Sequence, residues 1–242
     1  MLYFACCSVV CLVFAGLYIK FGFPVITKKS YAFKMVAAVS FVLNGLFGYL
    51  FFNKSVYSKW VLLGLFFGFL GDVIIALEPF IKENEKKKKH NTIAVVTGGA
   101  LFFLGHVFYI VAFAMELKRT GAFKPALYFG IVGGTLGLGM LTMLLTKIKM
   151  KKFSAPIAVY AVAITSMFAL AVNVAITNTT GGIFFNIALI AAPLLFVISD
   201  GTIVLKFFNK QKFATMPLRI VNLGTYFLAQ VLFGLTIYLI NS

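Results

Sequence analysis

Eight apolar runs follow one another along the chain, at about 2–19, 35–52, 60–77, 93–115, 126–146, 155–176, 183–205 and 220–240, and no other feature of the sequence leaves so few folds open. Each can cross a bilayer once as a helix, which takes about 20 mostly apolar residues. Inside a bilayer every backbone N–H and C=O must be satisfied within the protein, so only helices and closed barrels can span it, and the period-two alternation of barrel strands is missing here. The sequence predicts an all-α polytopic transmembrane bundle of about eight spans, forming a single integral membrane domain over residues 1–242. The chain is 62% hydrophobic and only 12% charged, about half the usual charged share of a soluble domain. Its net charge of +16 would suit a nucleic-acid binder, but there is almost no polar surface to present a basic face, so nucleic acid is not an expected partner.

The basic residues report orientation instead. Seventeen of the 22 fall in the loops after runs one, three, five and seven, including Lys20, Lys28, Lys29 and Lys34, Lys82 and Lys86 to Lys89, Lys147, and Lys206 with Arg219. Lysine and arginine stay in short cytoplasmic loops, which places both termini on the exoplasmic or lumenal side. The multi-pass chain would then sit in the endoplasmic reticulum or another endomembrane of a eukaryote, or in a bacterial inner membrane. The first run lacks a basic stretch ahead of it and a small-x-small cleavage site, so it reads as a retained span. Lys82 to His90 (KENEKKKKH) reads as a solvated loop that could also meet anionic lipid headgroups. Cys6, Cys7 and Cys11 share one apolar helix and read as packing residues. Gly64 and Gly68 on the third run, and Gly133, Gly134, Gly137 and Gly139 on the fifth, are expected to let neighbouring helices approach closely.

Only two charged side chains lie inside the eight runs, Asp72 in GFLGDVIIAL and Asp200 in LLFVISDGTIVL. Each costs about 3 kcal/mol at a helix centre, which makes both functional candidates. Asp72 precedes Glu78 by six residues and Asp200 precedes Lys206 by six, so at 1.5 Å per residue both lie about 9 Å in from the same side and can share one layer. Other polar residues fall at compatible depths: Lys34, Asn44, His106, Tyr109, Ser199, Asn222, Tyr226 and Gln230. The segments LGDVIIAL (70–77) and ISDGTIVL (198–205), and LGHVFY (104–109) and LAQVLF (228–233), resemble each other, consistent with a 4+4 parallel repeat that would make the two aspartates counterparts.

Three chemistries can use such residues. A catalytic zinc wants three protein ligands and an open position, but the chain has two histidines and His90 lies in the lysine loop. A serine triad lacks its G-x-S-x-G elbow, and Ser199 and Asp200 are consecutive, so on a helix they do not face one another. Paired carboxylates suit general acid and base work on acetal-like C–O bonds through oxocarbenium-like transition states. The same pair could instead serve a proton-coupled carrier of an amphiphile or organic ion.

G-D in the third run, G-H-x-x-Y in the fourth (Gly105, His106, Tyr109), P-x-x-F-x-x-S-D in the seventh (Pro193, Phe196, Ser199, Asp200) and Y-x-x-x-Q in the eighth (Tyr226, Gln230) together resemble the YhhN-type lysoplasmalogenase family. Lys34 matches a lysine at the start of the family's second span, although Met35 follows where many members have proline. The resemblance implies hydrolysis of the vinyl ether bond of a lysoplasmalogen, with Asp72 and Asp200 as the catalytic carboxylates. It also implies that His106, Tyr226 and Gln230 position water or the glycerol oxygens and that Lys34 meets the phosphate at the cytoplasmic mouth, while Ser199, Asn44 and Tyr109 join the substrate site as polar residues of a pocket open toward the cytoplasmic half. The expected partners are a lysophospholipid substrate and membrane lipid, and no metal or cofactor is called for.

Overall fold

The structure, a computed structural model, describes residues 1–81, 88–147, 154–177, 182–208 and 213–240. Lys82, Lys86, Lys87 and the lysines at 149, 151, 152, 210 and 212, on which part of the orientation and the lipid-contact reading rest, lie outside the described residues.

Among the described residues eight long helices follow in order: α1 (Leu2–Phe21), α2 (Lys28–Phe51), α3 (Val56–Ile81), α4 (Lys88–Thr120), α5 (Pro125–Thr146), α6 (Ser154–Thr177), α7 (Ile183–Phe208) and α8 (Met216–Leu239). All eight are long and apolar enough to cross a membrane, so the chain is an integral multi-pass membrane protein. Several helices outrun the apolar runs that announce them. Helix α2 starts at Lys28 because Thr27 and Ser30 form a reciprocal capping box that satisfies its first N–H groups, which puts Lys34 well inside a helix. Helix α4 begins at Lys88, so the end of the KENEKKKKH segment is helical where a loop was expected.

The helices pack as neighbouring pairs: α1 on α2, α3 on α4, and α7 on α8. Helix α2 also packs on α3 and α8, and α6 joins α4 to α7. The fully buried aromatics of the core include Phe41, Tyr109, Phe113, Phe185, Phe196, Phe227 and Phe233. Its tightest contact is the Tyr109 ring stacked on Phe233, with centroids 3.9 Å apart and planes 2° from parallel. The last helix fastens the first three at both ends. Arg219 donates from Nε and Nη2 to the carbonyls of Ile19 and Tyr18, at 3.2 and 3.1 Å, and its guanidinium lies 4.6 Å from the Tyr18 ring centroid. At the opposite end Asn53 donates to the carbonyl of Ile240 at 2.7 Å.

Helix α5 is different. It has no buried residue, and it packs chiefly on α6. A Cβ added at Gly133, Gly134, Gly137 or Gly139 would meet nothing within 4 Å. The expected close approach of another helix to these glycines is therefore not found among the described residues. Glycine only permits close approach, and here none of the described helices uses it.

Candidate active site

The depth shared by the two aspartates does not bring them into one hydrogen-bonded pair. Each is held by its own set of partners, drawn from different helices. Asp72 is 2% exposed on α3. Lys34 of α2 brings its ammonium to 2.9 Å from Asp72 Oδ1, and Tyr226 of α8 donates its hydroxyl to Oδ2 at 2.7 Å. Behind Tyr226, Gln230 Nε2 donates to the tyrosine oxygen at 3.0 Å, and Tyr109 of α4 donates to Gln230 Oε1 at 3.0 Å. A continuous line of donors and acceptors thus runs Tyr109, Gln230, Tyr226, Asp72, Lys34, joining four helices.

Glycines on α3 make this possible. A Cβ on Gly64 would strike the Tyr109 ring, and one on Gly68 would lie 2.6 Å from Gln230 Nε2. Gly105 brings the α4 backbone against Gly64, where an added Cβ would be 3.1 Å from the Gly64 carbonyl. The expectation of close helix approach holds at Gly64 and Gly68, and it acquires a second purpose: the missing side chains are the sockets for Tyr109 and Gln230.

Asp200 on α7 has other neighbours. Tyr160 of α6 donates its hydroxyl to Asp200 Oδ2 at 2.6 Å, and His106 Nε2 of α4 stands 3.5 Å from the same oxygen. His106 Nδ1 is bonded to the carbonyl of Phe102 one turn earlier, at 2.7 Å. The Asp200 side chain is 14% exposed against 3% for Asp72, and Gly201 beside it is exposed with nothing within 4 Å of a built Cβ. Asp200 is the carboxylate with an open side.

Phe196 separates the two sets. Its ring meets His106 edge to face at 5.1 Å and Tyr226 edge to face at 5.5 Å. Phe102 also touches both sides, through its carbonyl on His106 and its ring 5.8 Å from Tyr226. The carboxylates therefore flank one aromatic partition.

Of the expected site residues, Asp72, Lys34, Tyr226, Gln230 and Tyr109 share one network, and Asp200 and His106 share the other. Lys34, expected to meet a phosphate, is 5% exposed, and its ammonium is engaged by Asp72. An ammonium this deep is held by the nearest anion. Asn44 and Ser199 are not brought to either carboxylate. Asn44 donates to Ser8 at 3.4 Å, joining α2 to α1. Ser199 accepts from Asn222 through both its carbonyl and its hydroxyl, at 2.9 and 3.1 Å, tying α7 to α8. Tyr160 is the residue that sequence reasoning missed. A buried tyrosine hydroxyl needs a partner, and a tyrosine inside SAPIAVYAVAIT was the available signal.

Among the described residues no three His, Cys, Asp or Glu side chains gather to hold a metal ion. An open hollow of about 420 Å³, lined by Ala114, Leu117, Lys118, Gly121, Phe123 and Leu170, lies at the C-terminal end of α4 and contains no candidate residue.

No curated relative and no solved structure matches the chain. The sequence model of the YhhN family matches residues 29–237, from the first turn of α2 nearly to the end of α8, and so takes in both aspartates and every residue that holds them. With most of its length matched, the chain belongs to the YhhN family.

Proposed function

We propose that this protein is a membrane hydrolase that cleaves the vinyl ether bond of lysoplasmalogens, releasing a fatty aldehyde and a glycerophospho-headgroup. Family membership supports a hydrolase. The observation that carries the finer reading is the pair of differently furnished carboxylates flanking Phe196, one ion-paired with Lys34 and one beside a histidine and a tyrosine. A vinyl ether is cleaved by protonating its β-carbon, after which water adds to the oxocarbenium carbon and the hemiacetal collapses. That sequence needs an acid and a base at one site, each contributing about 10²- to 10⁴-fold. The open side of Asp200 suits a substrate that arrives through the lipid.

We also propose that α1–α4 and α5–α8 are parallel repeats, with both termini exoplasmic or lumenal. Adjacency supports the repeat: α2 on α3 and α3 on α4 correspond to α6 on α7 and α7 on α8, while α4 on α6 corresponds to α8 on α2. Tyr109 and Phe233, counterparts in the two similar segments, stack on each other.

The test is mass spectrometry of 1-alkenyl lysophospholipid incubated with the purified protein in lipid nanodiscs, alongside Asp72→Asn and Asp200→Asn. Wild type is expected to release aldehyde and each variant to lose at least 100-fold in rate. Full activity in either variant overturns the reading, and transmembrane flux of unhydrolysed lipid in vesicles would favour a carrier.

A further inference from the structure

The two carboxylates differ in the hydrogen-bonding partners around them. Asp72 is surrounded by donors: the Lys34 ammonium on Oδ1 and the Tyr226 hydroxyl on Oδ2. An ionised carboxylate accepts and never donates, so Asp72 fits these partners with no proton of its own, and Lys34 balances its charge.

Asp200 does not fit in that way. The Phe102 carbonyl can only accept, so His106 Nδ1 carries the hydrogen of that bond. In a neutral imidazole Nε2 then bears a lone pair. That atom is buried, has no other hydrogen-bond partner, and faces Asp200 Oδ2 at 3.5 Å. A lone pair set against a carboxylate oxygen in an apolar surrounding is two acceptors facing each other, and one added proton turns the clash into an attraction. Among the described residues no lysine or arginine pairs with Asp200; the polar groups facing the pair are Tyr160 from α6 and the Phe102 carbonyl from α4.

We propose that His106 and Asp200 together hold the proton that is delivered to the substrate, with Asp72 as the ionised base, which makes His106 a catalytic residue and Tyr160 a positioning residue. The inference rests on the vinyl ether reading and assigns roles within it. In the first step the π electrons of the substrate form a C–H bond with the stored proton, leaving an oxocarbenium ion and a His106–Asp200 pair short of one proton. Water then bonds to the oxocarbenium carbon and passes a proton to Asp72. On collapse of the hemiacetal, its hydroxyl proton returns to the His106–Asp200 pair, and Asp72 delivers its proton to the departing glycerol oxygen as the C–O bond breaks. Both carboxylates end as they began, and the net reaction consumes one water. Tyr160, donating to Asp200 Oδ2, fixes the orientation of the carboxylate toward His106.

The experiment has two arms on the protein in nanodiscs. Steady-state kinetics on 1-alkenyl lysophospholipid should show His106→Gln losing at least 100-fold in kcat with KM little changed, together with loss of the alkaline limb of the pH profile. Tyr160→Phe should keep KM, lose about tenfold in kcat and displace that limb. Infrared difference spectroscopy without substrate should show at pH 7 either a carboxylic C=O stretch or an imidazolium ring mode, abolished by both His106→Gln and Asp200→Asn and kept in Asp72→Asn. Wild-type kcat and pH profile in His106→Gln overturn the proposal, as does a proton signal that is absent at pH 7 or that vanishes with Asp72 alone. If wild type shows the signal but releases no aldehyde, the proton placement stands and the substrate reading falls.

Discussion

Helices α3 and α5 look alike on paper, both apolar and both studded with glycine, yet the chain treats them in opposite ways. On α3, Gly64, Gly68 and Gly71 receive Tyr109, Gln230 and Phe102, the residues that brace Tyr226 and His106. On α5, Gly130, Gly133, Gly134, Gly137 and Gly139 receive nothing. The difference shows what glycine does in a membrane bundle. It adds no attraction of its own and removes an obstacle, so its worth depends on what the facing helix puts into the gap.

Substitutions on the two helices should separate accordingly. The largest effect is expected from Gly64→Leu: Tyr109 cannot retreat, because its other face is stacked on Phe233, and overpacking of this kind costs about 3 kcal/mol. Thermal unfolding in detergent should fall sharply and aldehyde release should be lost. Gly68→Ala is intermediate, since the added methyl meets the flexible end of Gln230. A stability loss of about 1 kcal/mol, near that of one interhelical hydrogen bond, should accompany a roughly tenfold drop in kcat. Gly137→Leu should be nearly silent, within about 0.5 kcal/mol, with unchanged turnover. A large loss there would mean that α5 meets a surface outside this chain, and the contrast with α3 would fail.

The same contrast explains how much of the molecule could be read in advance. The eight apolar helices and the unusual placement of Asp72 and Asp200 were visible because a charge inside an apolar run stands out without any knowledge of neighbours. Depth was readable too, and it correctly set Lys34, His106, Tyr226 and Gln230 near the carboxylates. Rotation about each helix axis was not. Ser199 adjoins Asp200 in sequence but points about 100° away around the helix, and its partner Asn222 follows it to the α7–α8 seam. Asn44 has a suitable depth and faces α1. Tyr160 was not singled out, because nothing in the sequence around it points to the carboxylate opposite. The partition between the aspartates was equally hidden: Phe196 belongs to the motif, but nothing in its spacing says that it stands between His106 and Tyr226.

The grip of Arg219 on the end of α1 also has a consequence for how the protein is made. Residues 19 and 219 are 200 positions apart, so at about 5–20 residues per second the ribosome needs roughly 10–40 s to supply the second after the first. During that interval Asp72 lacks its Tyr226 donor, which arrives 154 residues later. Lys34, only 38 residues ahead of Asp72 in the chain, is already in place. The nascent α2–α3 hairpin can therefore enter the bilayer with Asp72 already matched by Lys34, and that pair, with no net charge, waits for the last helix to arrive.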